Sequence, residues 1–525
     1  MSLGKTISSP DQEVDLSHGE PKAPAPAGIL LALAVAAVPA LMSLWLVTVQ
    51  LGANPADYVP QWSDEIFNWH QVKTFERAGF GGGYYSVDEE PAPLGRFYSH
   101  GPVYPVLFGS LGRLFGWNLT STPLLSVILT SLAIFGFILF ARLDRAQAVL
   151  LGLTLMTFWP MHLYMNTDMR MAFFGILAIA LAAGFYRTIQ DPDRASPRFL
   201  VLFGVFIALA TLSKLTWAFL FVPYLLHIRK RIRVGRLSAL ALAAVLIAIG
   251  FGVHSLVAAP FPNFASQLLA TLGESYSEGF ALLVEHVYSG VEDFFDLDHQ
   301  PLWLMVRLQM LITIAWAVFL IVRSSGEDRD YREGVLILAS SGLLLVVTVF
   351  LYDVFGWRDF RLFAPALLMV ILVSIARRRF LVVGVLLAGN LLVLPGFLDA
   401  CDDLFDDDRF AGDRERLEFF AKEIEPTIRF DEHGSGWENT ILAPLTIAAD
   451  PLMVAIPAGI GISWFQSPPK LEKIKSRYLL IDRPTRKLLG RRRSLAYVRT
   501  TTLGDLYVNM NPGEGGPRES SRPSH

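Results

Sequence analysis

Eleven stretches of this chain are apolar over lengths that reach or approach what a bilayer demands, and this repetition restricts the fold more than any other feature. They lie near 29–51, 120–141, 146–162, 169–187, 199–212, 215–228, 237–258, 302–323, 335–352, 362–376 and 380–397. A hydrocarbon core of about 30 Å takes about 20 helical residues to cross. The shorter stretches fit by tilting, by running into their flanks, or by pairing as a broken hairpin. The expectation is a polytopic α-helical membrane protein of about eleven transmembrane helices. A mean hydropathy of +0.42 agrees. The single cysteine, Cys401, excludes an intrachain disulfide and a Cys-based zinc site.

Lysine and arginine give the expected orientation. With residues 1–28 read as a disordered cytoplasmic tail, the inside loops collect Arg142 and Arg145, Arg229 to Arg236, and Arg377 to Arg379, whereas Ala259 to Pro301 contains neither residue. An odd number of crossings then leaves the C-terminus outside. Four regions are expected: the tail at 1–28; a membrane module at 29–400, with a long first outside loop at 52–119; a small outside α/β domain at 401–510; and a disordered tail at 511–525. The first loop reads as an amphipathic helix from Asp64 to Ala78, a turn at Gly79–Gly83, and a second amphipathic helix from about Pro102. After Cys401, an acidic run leads into a charged helix ending near Glu425. Short apolar runs follow at Leu452–Ile456 and Tyr478–Ile481, and strands near Leu495–Thr501 and Tyr507.

Charges near a membrane plane are costly and mark candidate chemistry. Asp64 and Glu65 suit a general base, or serve the start of a helix. Asp168, in Asn-Thr-Asp-Met-Arg, is a second acid or an N-cap. Lys214 either snorkels to the interface or binds a phosphate. Arg358 and Arg361 flank Asp359 and either brace a short loop or grip phosphate oxygens. His100 either donates to an anion or caps a turn. The acids and histidines from Glu285 to His299 read as a solvated face. No GxxxxGK[ST] or GxGxxG cradle is present, and no histidine pairing suggests a metal.

At these residues the chain resembles the GT-C glycosyltransferases, polytopic enzymes that use polyprenyl-phosphate sugars. The likeness is greatest to the subgroup of protein O-mannosyltransferases and the bacterial lipid A aminoarabinose transferase. Four segments carry it in order: Asp64-Glu65 after the first membrane helix; His100-Gly101-Pro102-Val103-Tyr104-Pro105 leading to Leu114-Phe115-Gly116; Asn166-Thr167-Asp168-Met169; and Ala208 to Trp217, with Ser213 where the family has Thr. The second departs from the family's Lys-Pro-Pro or His-Pro-Pro form at Gly101.

The resemblance implies a catalytic base at Asp64 or Asp168, Glu65 in support, and donor phosphate held by Lys214, Arg358, Arg361 and His100. It implies inverting transfer of a sugar on the outer face of a bacterial inner membrane. The expected partners are a polyprenyl-phosphate sugar donor, a cell-envelope acceptor (lipid, glycan or protein) and membrane lipids, with no nucleic acid. Some branches of the family use a divalent metal, Mg or Mn, which paired acids are able to hold. The rival readings are a transporter or lipid flippase, which calls for polar residues along a path to both faces, and a non-catalytic membrane scaffold.

Overall fold

The computed structural model describes residues 27–95, 97–260, 264–295, 301–324, 326, 328–343, 345–346, 357–405, 414–434, 436–466, 474–489 and 494–513. The two expected terminal tails fall almost entirely outside them. Six described helices are long and apolar enough to cross a bilayer. They are α1 (Ile29–Trp45, continuing to Gln50), α4 (Ser121–Ala141), α7 (Met171–Gln190), α10 (Arg236–Val257), α13 (Pro301–Arg323) and α16 (Phe380–Phe405, apolar to Cys401). A seventh crossing results if α5 (Arg145–Thr157) and α6 (Trp159–Met165) act as one span bent by 60°. The bend falls at Phe158, just before Pro160, whose ring cannot continue a helical ladder.

The eleven expected spans thus become six or seven helices of full length plus several shorter ones. Stretches 199–212 and 215–228 are α8 (Pro197–Ser213), a 3-10 turn at Leu215–Leu220 and α9 (Phe221–Ile228), with the break at Lys214. Stretch 335–352 begins in α14 (Arg329–Ile337) and runs partly outside the described residues.

Stretch 362–376 is α15 (Ala364–Ala376), only 13 residues long, with every residue buried. A helix apolar on all sides belongs in the interior of a bundle. At 1.5 Å per residue it covers roughly 20 Å, two-thirds of a hydrocarbon core. It packs along α7.

The opposite end of α15 is tied down by three consecutive arginines. Arg377 and Arg379 both bond the buried carboxylate of Glu333 on α14, at 3.2 and 3.1 Å, and both also reach Asp330. Arg378 reaches Asp144 at the start of α5, at 2.7 Å. Gln147 donates to the carbonyls of Ile375 and Ala376.

The polar part of the chain is built on a six-stranded sheet: β1 (Ser86–Val87), β2 (Thr440–Pro444), β3 (Gly461–Phe465), β4 (Tyr478–Ile481), β5 (Leu495–Thr500) and β6 (Asp505–Asn509), in the order β1-β3-β2-β4-β6-β5. The first four in that order are parallel, and the β4-β6-β5 end is antiparallel. The edge strand β1 comes from the first loop, with Ser86 opposite Ser463. The sheet's core is shared in the same way. Ile66, Phe67 and Tyr85 of the loop pack with Phe420 on α17 (Arg414–Ile424) and with Ile441 and Ile462. Buried Glu89 fastens the join, its carboxylate accepting from the backbone N–H of Lys475 at 2.9 Å and of Ser476 at 2.7 Å. The packing therefore crosses the expected boundary at residue 401. The apolar run at Leu452–Ile456 falls largely in a 3-10 turn, Pro451–Ala455.

Candidate active site

Helix α2 (Ser63–Ala78) packs against α3 (Val103–Phe115). Its N-cap position is Trp62, so neither Ser63 nor Asp64 spends its side chain on capping. Glu65 takes that duty instead. It is fully buried, and its Oε2 accepts from the backbone N–H of Gln61 at 2.9 Å and of Trp62 at 3.0 Å. The expected acid pair therefore divides. Glu65 folds back on its own turn, and Asp64, about one-third exposed, faces Arg361, whose Nη1 lies 3.1 Å from Oδ2. Arg361 comes from the 3-10 turn at Trp357–Leu362 that leads into α15. The side chains of Arg358 and Asp359 lie outside the described residues.

Asp168 sits in the turn between α6 and α7, but the N-cap position of α7 is Arg170. The Asp168 carboxyl is buried, and neither oxygen has a hydrogen-bond partner among the described residues. Burial pushes its pKa well up; the nearby Thr122 hydroxyl opposes this, the Glu65 carboxylate adds to it, and the Tyr58 hydroxyl opposes it. A carboxyl whose folded pKa is raised stabilises the fold while protonated, and that contribution is lost as pH rises above the ordinary carboxylate range. Asp168→Asn should therefore remain folded and lose less stability than the parent on going from acid to alkaline pH. Paired unfolding curves across that range check the slope.

Arg170 is the residue that sequence reasoning passed over. Its nearness to Asp168 in Asn-Thr-Asp-Met-Arg is a usable signal. Its guanidinium is buried and holds three parts of the site together. Nε donates to Asn68 Oδ1 on α2, Nη1 donates to the His100 carbonyl at 2.9 Å, and the cation lies over the Tyr104 ring at 5.0 Å. Asn68 in turn donates to the Asp168 carbonyl at 3.0 Å.

His100 shows surface to this recess yet is ringed by protein. Those surroundings, then Arg170, push its pKa down, with Asp64 opposing. Gly101 explains the departure from the Pro-rich pattern. Its φ is +74°, and a Cβ there would stand 2.1 Å from the Leu212 carbonyl oxygen. The close approach sets the His100 turn against the segment that carries Lys214. Gly101→Ala should cost about 1–2 kcal/mol for the left-handed backbone alone. The clash with backbone adds to that and pushes the two segments apart, measurable as a lowered unfolding midpoint in detergent.

Lys214 occupies an extended break after α8. Its Nζ donates to the Leu362 carbonyl at 3.2 Å and lies over the Phe174 ring at 5.3 Å. With Trp217, Ser340, Leu362, Pro365 and Ala366 it lines a narrow cleft at the N-terminus of α15. The charges of Lys214 and Arg361 are near enough to repel. Asp64, His100, Asp168, Lys214 and Arg361 thus gather around one end of α15, along with Arg170. Among the described residues no three His, Cys, Asp or Glu side chains form a metal-binding group. With Glu65 turned onto Gln61 and Trp62 and Asp64 on a guanidinium, the acid pair does not fit a divalent ion.

No protein-family model matches the chain, and no curated protein does. Among solved structures the chain is similar to the oligosaccharyltransferase of Archaeoglobus fulgidus in its apo form, at 11% identity and a TM-score of 0.46, covering 92% of this chain and 75% of that one. It is also similar to ArnT from Cupriavidus metallidurans bound to undecaprenyl phosphate, at 15% identity and a TM-score of 0.39, covering 93% of this chain and 99% of that one.

Proposed function

We propose that the chain is a membrane glycosyltransferase of the GT-C kind that moves one sugar from a polyprenyl-phosphate carrier to a hydroxyl acceptor, with inversion. The observation that carries this reading is the arrangement around one end of α15. A carboxylate open to solvent, Asp64, stands beside cations suited to a phosphate, Arg361 and Lys214, and Lys214 lines a cleft at the N-terminus of a buried helix. The positive end of a helix dipole adds to the attraction for an anion.

In the reaction Asp64 takes the acceptor's hydroxyl proton. The freed oxygen bonds to the anomeric carbon as the bond from that carbon to the phosphate oxygen breaks. Polyprenyl phosphate leaves as an anion, which Lys214 and Arg361 stabilise as its charge develops. Asp168 is wholly buried, out of reach of an acceptor hydroxyl, so we assign it to holding the turn and give the role of base to Asp64. The orientation we propose puts this site on the extracytoplasmic face of a bacterial inner membrane, with the N-terminus in the cytoplasm and the sheet outside near the acceptor.

A transporter needs a polar path to both faces. The ion-pair cluster at the far end of α15 supports an enzyme, because it clamps that end shut. The test is transfer of labelled sugar from a panel of polyprenyl-phosphate donors to endogenous acceptors, in membranes with and without the chain. Label moving only with the chain supports the reading. No chain-dependent transfer across the panel would sink it and favour the transporter.

A further inference from the structure

Between α10 and α13 the chain makes a hairpin of α11 (Phe264–Glu274) and α12 (Tyr276–Phe295). Helix α12 has three distinct faces. One packs on α11, where Gly279 seats against Leu272 and the rings of Phe264 and His286 stack at 3.6 Å. A second carries Glu278, Glu285 and Glu292, spaced by seven residues and therefore in one line. Between them runs a stripe of Tyr276, Phe280, Val284, Tyr288, Val291 and Phe295, all exposed and covered by nothing among the described residues.

We propose that this stripe lies in the interfacial layer of the bilayer, on the same side as Asp64, with lipid as its partner. The inference rests on α10 and α13 crossing the membrane and is independent of the transferase reading. Both ends of the hairpin are fixed to those helices. The end of α10 is held by the first loop, the N–H of Phe97 donating to Val257 O at 3.1 Å and that of Ala259 to Phe97 O at 2.6 Å. The end of α12 is held by α13, where buried Arg307 donates to Asp293 O at 2.6 Å and lies over the rings of Trp303 and Phe294. Helix α10 leaves most of its apolar surface uncovered, as a lipid-facing span does. The hairpin leaves and rejoins the bundle where its spans end. Four of the six stripe residues are aromatic, the composition favoured at a membrane interface.

Charge narrows the kind of attachment. With no lysine or arginine between Ala259 and Pro301, the hairpin has nothing to grip an anionic headgroup. The line of glutamates borders the stripe, Glu285 three residues before Tyr288 and Glu292 four after it, on the side turned to water. Attachment is therefore by apolar burial and indifferent to anionic lipid. The test uses the full chain in nanodiscs of phosphatidylcholine, alone or with phosphatidylglycerol. Nitroxide labels go on Tyr288→Cys and Glu285→Cys, with Val284→Cys and Glu278→Cys as a second pair should the first misfold. The stripe labels should be several-fold more accessible to oxygen than to an aqueous nickel complex, the glutamate labels the reverse, equally in both lipids. Water access at both positions would overturn the proposal. So would stripe labels shielded with strong label-to-label coupling between chains, which means a second copy covers the stripe. Stripe labels expelled by phosphatidylglycerol would overturn the apolar mode of attachment.

Discussion

Asp64→Asn should lower sugar transfer by about 10²–10⁴-fold while leaving the fold and donor binding intact. The substitution keeps the shape of the side chain and its place beside Arg361 but replaces a basic carboxylate with an amide too weakly basic to take the acceptor's proton. Little stability should change, because the pair is part exposed and such ion pairs contribute at most about 1 kcal/mol. The loss should fall on kcat and not on KM, since deprotonation belongs to the transition state and the ground state does not need it. Asp64→Glu should recover part of the rate, because it restores the base at a longer reach. Single-turnover transfer by purified wild type and both variants, alongside donor binding, separates these quantities. An Asp64→Asn protein with full turnover would remove Asp64 from the mechanism, whatever the fate of the transferase reading.

Glu333→Ala should be the most destabilising single change at the other end of α15. Glu333 is fully buried and shared by Arg377 and Arg379. Removing one partner from a buried ion pair costs about 3–5 kcal/mol, because the remaining charge is left desolvated. Asp330 still reaches both guanidiniums, so the lower end of that range is expected. The cost should appear as a lower unfolding midpoint in detergent. As a control, Asp144→Asn meets the half-exposed Arg378 and should cost far less. A Glu333→Ala chain as stable as the parent would mean that the cluster does not hold the helix ends together.

Hydropathy finds an apolar stretch but not the depth at which it sits, which is why the span count shifted. Stretch 362–376 reads as a crossing, yet α15 is a short helix wholly inside protein. The break at Lys214 was legible as the gap between stretches 199–212 and 215–228, but not the backbone it takes, an extended residue followed by a 3-10 turn. The helices α2, α3 and α17 and the strands β4, β5 and β6 were legible from local pattern. Strands β1, β2 and β3 were not. β1 has only two residues, and β2 and β3 each carry a Pro or a Gly that reads as a turn. At the site, residue types near the membrane plane were readable, but partners were not. Only the folded chain separates Glu65, which caps its own turn, from Asp64, which meets a cation 297 positions later.

The edge strand Ser86–Val87 has to wait for its neighbour. The ribosome makes the first loop early, yet the segment that pairs with it at Ser463 and Trp464 emerges only after the membrane helices have been made. At about 5–20 residues per second, that is a delay of roughly twenty seconds to more than a minute. During it the loop bearing Asp64 has no sheet to join. A chain cut short before Gly461 would lack the strand that Ser86 and Val87 pair with, so the first loop takes its final form only once synthesis has passed that point.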